Sequence, residues 1–427
     1  MTPRSEPSRP IFGRWYALAT LTGIYATHSL DRNVISVVME PVKAELEVSD
    51  AAMGVLAGIA HSAMLALFIL PLGLLSDKVN RVRLISALCI IWSGLTALGA
   101  TVTSFGGLLA VRLGVGAAEA GMPPASISLI SDLFSSKERP TAISLYYVSA
   151  AIGTGLIFLF GGYVAEHFGW RMVFLIAGIP GLCLGVLLLL TVRDWHRELA
   201  RRQLQNAAHG TGIRTQIAAV GTLLHSPALR WVVAGGTFAA VGQIAFFAWL
   251  VSFLLRVHDF SLTHAGLITA AGAGLGKGAG TLVCGPLTRR FSNDVPSRLW
   301  RYPGSVLVAS VLLTWALMTV NSPAAVIALV LVLTFMLGGW AGPTTAILVA
   351  GVKPESRGSA VSLYQLAVNF IGGLGPLLTG YLSDSLGGGS AIAIAIGLTM
   401  SVNLLAAVCL AQSGRALNRS GFDASPI

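Results

Sequence analysis

The chain has 427 residues, of which 54% are hydrophobic and 11% charged, with a formal net charge of +10 and a mean hydropathy of +0.76. So little charge excludes a disordered chain, and so high a hydropathy excludes an ordinary soluble globule. Apolar stretches of about 20 residues or longer also exclude a strand-built barrel and leave an all-α membrane protein.

A polar tail covers residues 1–13. The apolar run from Trp15 onward is too long for a signal peptide and lacks a small-residue cleavage site, so no cleaved leader is expected. The first span, 14–39, contains Tyr25-Ala26-Thr27-His28-Ser29-Leu30-Asp31-Arg32-Asn33. Asp31 lies about 25 Å along a helix starting near Arg14, inside a core of about 30 Å if the helix tilts. A charge there costs at least about 2.5–3.5 kcal/mol unless it is paired or faces water. The stretch is either a pair snorkelling at a helix end or a hydrated site inside a bundle. Neighbouring helical residues point about 100° apart, so one of Asp31 and Arg32 lines a cavity while the other grips an adjacent helix.

Further helices are expected at 51–75, 82–103, 106–132, 138–165 and 170–192, completing a bundle over 14–192. In the fourth, Arg112 and Glu119 are seven residues apart and share a face at about 10 Å. They are either structural or, together with Asp31 and Arg32, a pathway or proton relay of the kind intramembrane ionisable groups mark. The charge state of Glu119 or Asp31 would then depend on how close Arg112 or Arg32 stands. His28 and His61 have no metal-ligand spacing and read as packed or hydrogen-bonding histidines. No metal site, cofactor motif, ATP-binding domain or nucleophile–base arrangement is visible, so neither a cofactor nor an enzymatic activity is expected.

A polar linker at 193–227 leads to spans at 228–256, 263–288, 300–319, 323–350, 356–382 and 388–412, a second bundle over 228–412 followed by a tail at 413–427. In the eighth span Gly272, Gly276 and Gly280 form a close-packing stripe. Gly274-Leu275-Gly276-Lys277-Gly278 is not a phosphate loop, because Ala271 and Gly278 stand where glycine and a hydroxyl are needed. Lys277 either faces the cavity, where it would attract an anionic headgroup, or is structural. Gln243, Gln365 and Asn369 are polar candidates for the substrate or for interhelical bonds. Gly372 to Pro376 would bend or closely pack the eleventh span. Cys89, Cys183, Cys284 and Cys409 lie far apart inside spans, and no disulfide is expected.

An even number of spans puts both termini and the linker on one side, which holds 22 of the 28 Lys and Arg residues. The positive-inside rule makes that side cytoplasmic, so the basic excess reflects topology rather than nucleic-acid binding. The halves also repeat. At an offset of 218, Arg139, Ala142, Ser144, Leu145, Tyr146, Gly155, Gly162, Tyr163 and Gly169 match Arg357, Ala360, Ser362, Leu363, Tyr364, Gly373, Gly380, Tyr381 and Gly387. Two parallel six-helix repeats describe a rocking transporter with its substrate site between them.

Twelve spans, a basic linker and Gly73-Leu74-Leu75-Ser76-Asp77-Lys78-Val79-Asn80-Arg81 between spans two and three resemble the major facilitator superfamily and its cytoplasmic loop motif. Asn80 replaces the usual glycine, a departure that resembles the spinster group. So do Asp31-Arg32, Gly116-Ala117-Ala118-Glu119-Ala120, Ser131 to Phe134 with Arg139, and Gly169-Trp170-Arg171 with Gly178 to Gly181. The resemblance implies a twelve-helix transporter in two bundles, with Asp77, Lys78 and Arg81 as a cytoplasmic latch. It implies export of lysolipids or sphingosine phosphates. A proton-driven organic-anion group also carries Asp-Arg in its first span, which keeps sugar acids open as substrates, with Arg32 and Arg112 as the clamp. A scaffold or sensor without turnover is the third reading. The expected setting is a bacterial-type inner membrane, with protons and membrane lipids as partners and the chain a monomer.

Overall fold

The computed structural model describes residues 11–192, 226–293, 295–352 and 357–419, and these are helical with short turns. The central linker and both tail ends fall outside the described residues, as do the side chains of Asp77 and Lys78. Helix α1 runs Ile11–Arg32 and continues as Val34–Leu46. It is followed by α2 (Asp50–Ser76), α3 (Arg81–Thr101), α4 (Phe105–Leu133), α5 (Arg139–Phe168) and α6 (Trp170–Thr191). After the linker come α7 (Pro227–His258), α8 (Leu262–Ser292), α9 (Arg301–Thr319), α10 (Pro323–Ala350), α11 (Ala360–Ser385) and α12 (Gly389–Arg419). The eleven after α1 are each long and apolar enough to cross a membrane, with short interruptions at Ala120–Gly121 in α4, Gly339–Trp340 in α10 and Gly373 in α11. The expected all-α, twelve-helix architecture is thereby borne out. The first span is not continuous at 14–39 but is interrupted at Asn33. Asn33 has φ −103° and ψ 0°, and its Nδ2 donates to the Ser29 carbonyl at 2.8 Å, competing with the helix's own ladder.

Side-chain caps start many of the helices. Ser49, Asn80, Ser104, Ser226 and Ser261 each accept a backbone N–H from the first turn of the helix that follows. The α1–α2 turn recurs between α7 and α8. Glu47 and Asp259 take left-handed φ values of 51° and 53°, and two residues later Ser49 and Ser261 cap the next helix.

The halves share one apolar core at the end opposite the termini, where Val34, Val38 and Phe158 join Trp249, Phe253 and Leu333. Toward the termini the core divides, one part around Trp92 and Tyr146 and the other around Val232 and Tyr364. Glycines permit the close crossings at the joined end. A Cβ on Gly266 would lie 2.5 Å from the Phe158 carbonyl oxygen, and one on Gly380 would lie 2.2 Å from that of Asp50. Helix α5 packs against α8 as far as its π turn at Gly272–Gly276, and hardly beyond Lys277. The bundles therefore meet at one end and part toward the other.

Ion pairs lock the joined end. Asp50, its side chain fully buried, receives both Nη atoms of Arg256 at 2.8 Å, Lys43 at 2.5 Å and the Ser383 hydroxyl at 2.6 Å. Arg256 also donates through Nε to Glu40 at 2.9 Å. Two carboxylates then cap helix starts across the interface. Glu166 of α5 accepts the Thr263 N–H at the start of α8, at 2.7 Å. Asp384 of α11 accepts the N–H groups of Asp50 and Ala51 at the start of α2, at 3.0 and 2.8 Å. Glu166 and Asp384 stand 218 residues apart, so the two caps are one device repeated by the internal symmetry.

At the open end Arg14 makes two 2.9 Å hydrogen bonds to Glu138, joining α1 to the start of α5. The Ser135 hydroxyl and this guanidinium hold the Glu138 carboxyl below the usual carboxylate range.

Candidate functional site

The unbroken turns of α1 before Asn33 turn Asp31 toward α3 and α4 and Arg32 toward the other half, the divergence that their 100° separation requires. Asp31 is 1% exposed; the Thr96 hydroxyl donates to it at 2.7 Å, and Arg112 Nη1 lies 3.4 Å from both its carboxylate and its backbone oxygen. Helical spacing places Arg112 on the same face as Glu119, yet the cross-helix partner of Arg112 is Asp31. At 1% exposure Arg112 is buried against Asp31.

Glu119 is fully buried, and neither of its carboxyl oxygens has a hydrogen-bond partner. His28 Nε2 stands 3.3 Å and His61 Nε2 3.5 Å from its Oε2. Both imidazoles are themselves buried, with no hydrogen bond at either nitrogen. Tyr25 stacks on His28 at 5.3 Å between ring centres and on Tyr146 at 4.4 Å, and Trp92 meets His28 edge-on. These rings keep water from the trio, and the charged side chains of Asp31, Arg112 and Arg32 stand close enough to act on Glu119. His61 is the residue that sequence reasoning passed over. Its signal was a histidine within an apolar span, but nothing in one dimension aims it at Glu119. The packing does: a Cβ on Gly116 would lie 2.6 Å from the His61 carbonyl oxygen, so α2 and α4 touch here.

Arg32 is half-buried and donates through Nη2 to Asn369 Oδ1 of α11 at 2.9 Å, the polar bridge between the halves near the midplane. Asn369 donates in turn to the Gln365 carbonyl at 2.8 Å, while the Gln365 side chain is exposed. Gln243 donates to the Leu337 carbonyl of α10 at 2.8 Å, an interhelical bond inside the second bundle. Lys277 leaves the π turn with its ammonium 5.3 Å from the centre of the Phe247 ring. The glycine stripe packs as expected: Cβ atoms on Gly276 and Gly280 would lie 2.2 Å from Thr334 Oγ1 and 2.0 Å from the Phe335 carbonyl oxygen of α10. Of the expected latch, Arg81 pairs with Asp132 within the first bundle. The side chains of Asp77 and Lys78 lie outside the described residues.

Two symmetric six-helix bundles around a cluster of buried charges already describe a transporter. Residues 21–376 match the Major Facilitator Superfamily. The chain belongs to that family. It is a superfamily transporter and not an enzyme. An MFS-type efflux pump of Mycolicibacterium smegmatis is 28% identical over 92% of this chain and 91% of the pump. Protein spinster of Drosophila melanogaster is 26% identical over 87% of this chain and 62% of its own length. A probable galactarate/D-glucarate transporter of Bacillus subtilis is 24% identical over 92% of this chain and 90% of its own. A crystal structure of a bacterial homologue of the human lysosomal transporter Spinster, inward-facing and unoccupied, superposes with a TM-score of 0.85. It is 26% identical and covers 99% of this chain and 100% of its own. The spinster-like character of the sequence is thereby borne out.

Proposed function

We propose that this protein carries an amphipathic anion across a bacterial-type inner membrane by alternating access, coupled to protons, as a monomer with both termini cytoplasmic. Arg32 carries the reading. It is a cation supplied by one half, half-exposed where the halves part, and held to the other half by a single neutral amide. A charge in such a place needs a counter-ion, and a substrate anion supplies it. With the positive side cytoplasmic, the structure is open inward, as is the spinster homologue it resembles.

The lipid-like character of the substrate rests on the seam between α5 and α8. Past Lys277 the two helices separate, and the exposed Val148 and Ile152 on one side and Leu282 on the other give an apolar edge along which a tail can lie. Proton coupling rests on Glu119, His28 and His61. The carboxylate can accept from both imidazoles, an added proton can pass between carboxyl and imidazole, and the 3.3 and 3.5 Å separations need only a small movement to become bonds. A rocking motion of α1 against α2 and α4 makes and breaks that arrangement. Asp31 and Arg112 form a neutral pair beside it.

The sugar-acid reading is favoured by the relatives named for galactarate, D-glucarate and tartrate, with Arg32 reaching the substrate. Purified protein in liposomes separates the readings. Labelled lysophosphatidate should move down a proton gradient, with glucarate competing weakly. Competition in the opposite order selects the sugar-acid carrier, and flux of neither leaves only a scaffold or sensor.

A further inference from the structure

At the end that carries the termini, the two bundles treat their basic residues differently. In the first, Arg14 pairs with Glu138, Arg81 pairs with Asp132, and Arg139 donates to the Ser131 carbonyl at 2.8 Å. At the repeat offset of 218, Ala350 and Ser356 stand where Asp132 and Glu138 do, so the second half has not kept those acids in place. Among the described residues of the second bundle the acids are Asp259 and Asp384, both at the joined end; Asp294 and Glu355 fall outside the described residues. Arg298, Arg301, Arg415 and Arg419 are exposed, and no described carboxylate of their bundle lies at their end.

A tight crossing gathers three of these arginines. A Cβ on Gly414 of α12 would strike the Trp300 ring and lie 2.5 Å from the Ser297 carbonyl oxygen. Arg415 follows Gly414 in the chain, and Arg298 and Arg301 each follow one of the two residues it meets. The exposed Phe291 of α8 stands edge-on to Tyr302 of α9 at 5.6 Å between ring centres, which adds an aromatic at the same level.

The patch runs straight into apolar surface. Arg301, Val308, Leu312 and Trp315 fall at steps of seven, four and three, one stripe of α9, and all are exposed. On α12, Arg415, Val408 and Leu404 repeat the pattern, and all are exposed. The Trp315 indole donates to Ser401 at 3.2 Å, so the two stripes run side by side. Both helices pack on each other and on helices of their own bundle, which leaves these faces to the lipid. Seven residues span about 10 Å, so with Val308 and Val408 in the hydrocarbon the guanidinium groups reach the headgroup layer. A basic patch alone would fit any acidic partner. One that continues into two apolar stripes fits a molecule with an anionic head and an apolar tail.

We infer that α9 and α12 form a seat for an anionic phospholipid of the surrounding leaflet. Its phosphate lies among Arg298, Arg301 and Arg415, and a tail lies along Val308, Leu312 and Val408. The lipid supplies the negative charge that this half of the repeat lacks, and it bridges two helices at their exposed ends.

Full-length protein in phosphatidylcholine nanodiscs doped with spin-labelled lipid tests the seat. Labelled phosphatidylglycerol should associate with wild type about fivefold or more strongly than labelled phosphatidylcholine, the effect of about one arginine beside an anionic headgroup. Arg298→Gln, Arg301→Gln and Arg415→Gln together should bring that ratio close to one. The same three positions changed to Lys should keep it, and so should Arg83→Gln with Lys137→Gln at the exposed end of the first bundle. Soluble glycerol phosphate should fail to displace the labelled lipid, since it has no tail. No preference in wild type, a preference that survives the triple Gln variant, or an equal loss in the first-bundle variant overturns the seat. Displacement by glycerol phosphate overturns it in favour of a site for soluble phosphate.

Discussion

Of the three guanidinium nitrogens of Arg112, Nη1 reaches Asp31 at 3.4 Å, while Nε and Nη2 have no hydrogen-bond partner. Deleting the side chain strands an acid that is 1% exposed with only Thr96 for company, so Arg112→Ala should cost about 3–5 kcal/mol. A fall in Tm of the purified protein reads this, and an unchanged Tm would show that the pair contributes nothing. Glu119→Gln keeps shape and hydrogen-bonding capacity but cannot exchange a proton, so it should flatten the pH dependence of flux while substrate binding largely survives. If the pH profile of Glu119→Gln matches wild type, the proton trio is structural. The presence of these ionisable groups in the membrane was legible from their cost. Their pairing was not, because helical spacing says which residues share a face and nothing about what a neighbouring helix brings to it. For the same reason His61 looked like a packed histidine and Arg112 looked like the companion of Glu119.

At the scale of the helix, the interface closes by exchange. Helix α5 caps the start of α8, and α11 caps the start of α2, each through a carboxylate on a helix N-terminus. Such a cap contributes about 0.3–1 kcal/mol when exposed, so Glu166→Gln and Asp384→Asn should each shift the balance toward outward-open states by about two- to fivefold. Asp50→Asn should shift it further, since it releases Arg256 and Lys43 as well. Spin labels across that end would report the distance distribution, and distributions identical to wild type in all three variants would refute a gating role. The repeat that relates α5 to α11 was readable from shared glycines and tyrosines. The caps escaped it because glutamate and aspartate do not match as identities, though they match as chemistry. The break in α1 escaped as well, since no proline or glycine marks Asn33.

The whole molecule is an apolar core that is single at one end and forked at the other, and twelve hydrophobic stretches sufficed to foresee the helices but not which end the fork would occupy. That depends on many weak contacts between halves. Orientation is a matter of charge. Gln205→Cys in the basic linker should react with an impermeant thiol reagent only when the cytoplasmic face is exposed, and labelling in intact cells would invert the topology. In the proposed orientation the reciprocal caps face the medium. Glu166 and Asp384 are exposed, whereas Asp50 is sealed beneath Arg256. Dissolved ions screen the first kind of contact and barely touch the second, over a distance of about 10 Å at 0.1 M salt and about 3 Å at 1 M. The resting balance between the two open states should therefore drift with the salinity outside the cell, so that the same carrier idles further outward in brine than in fresh water.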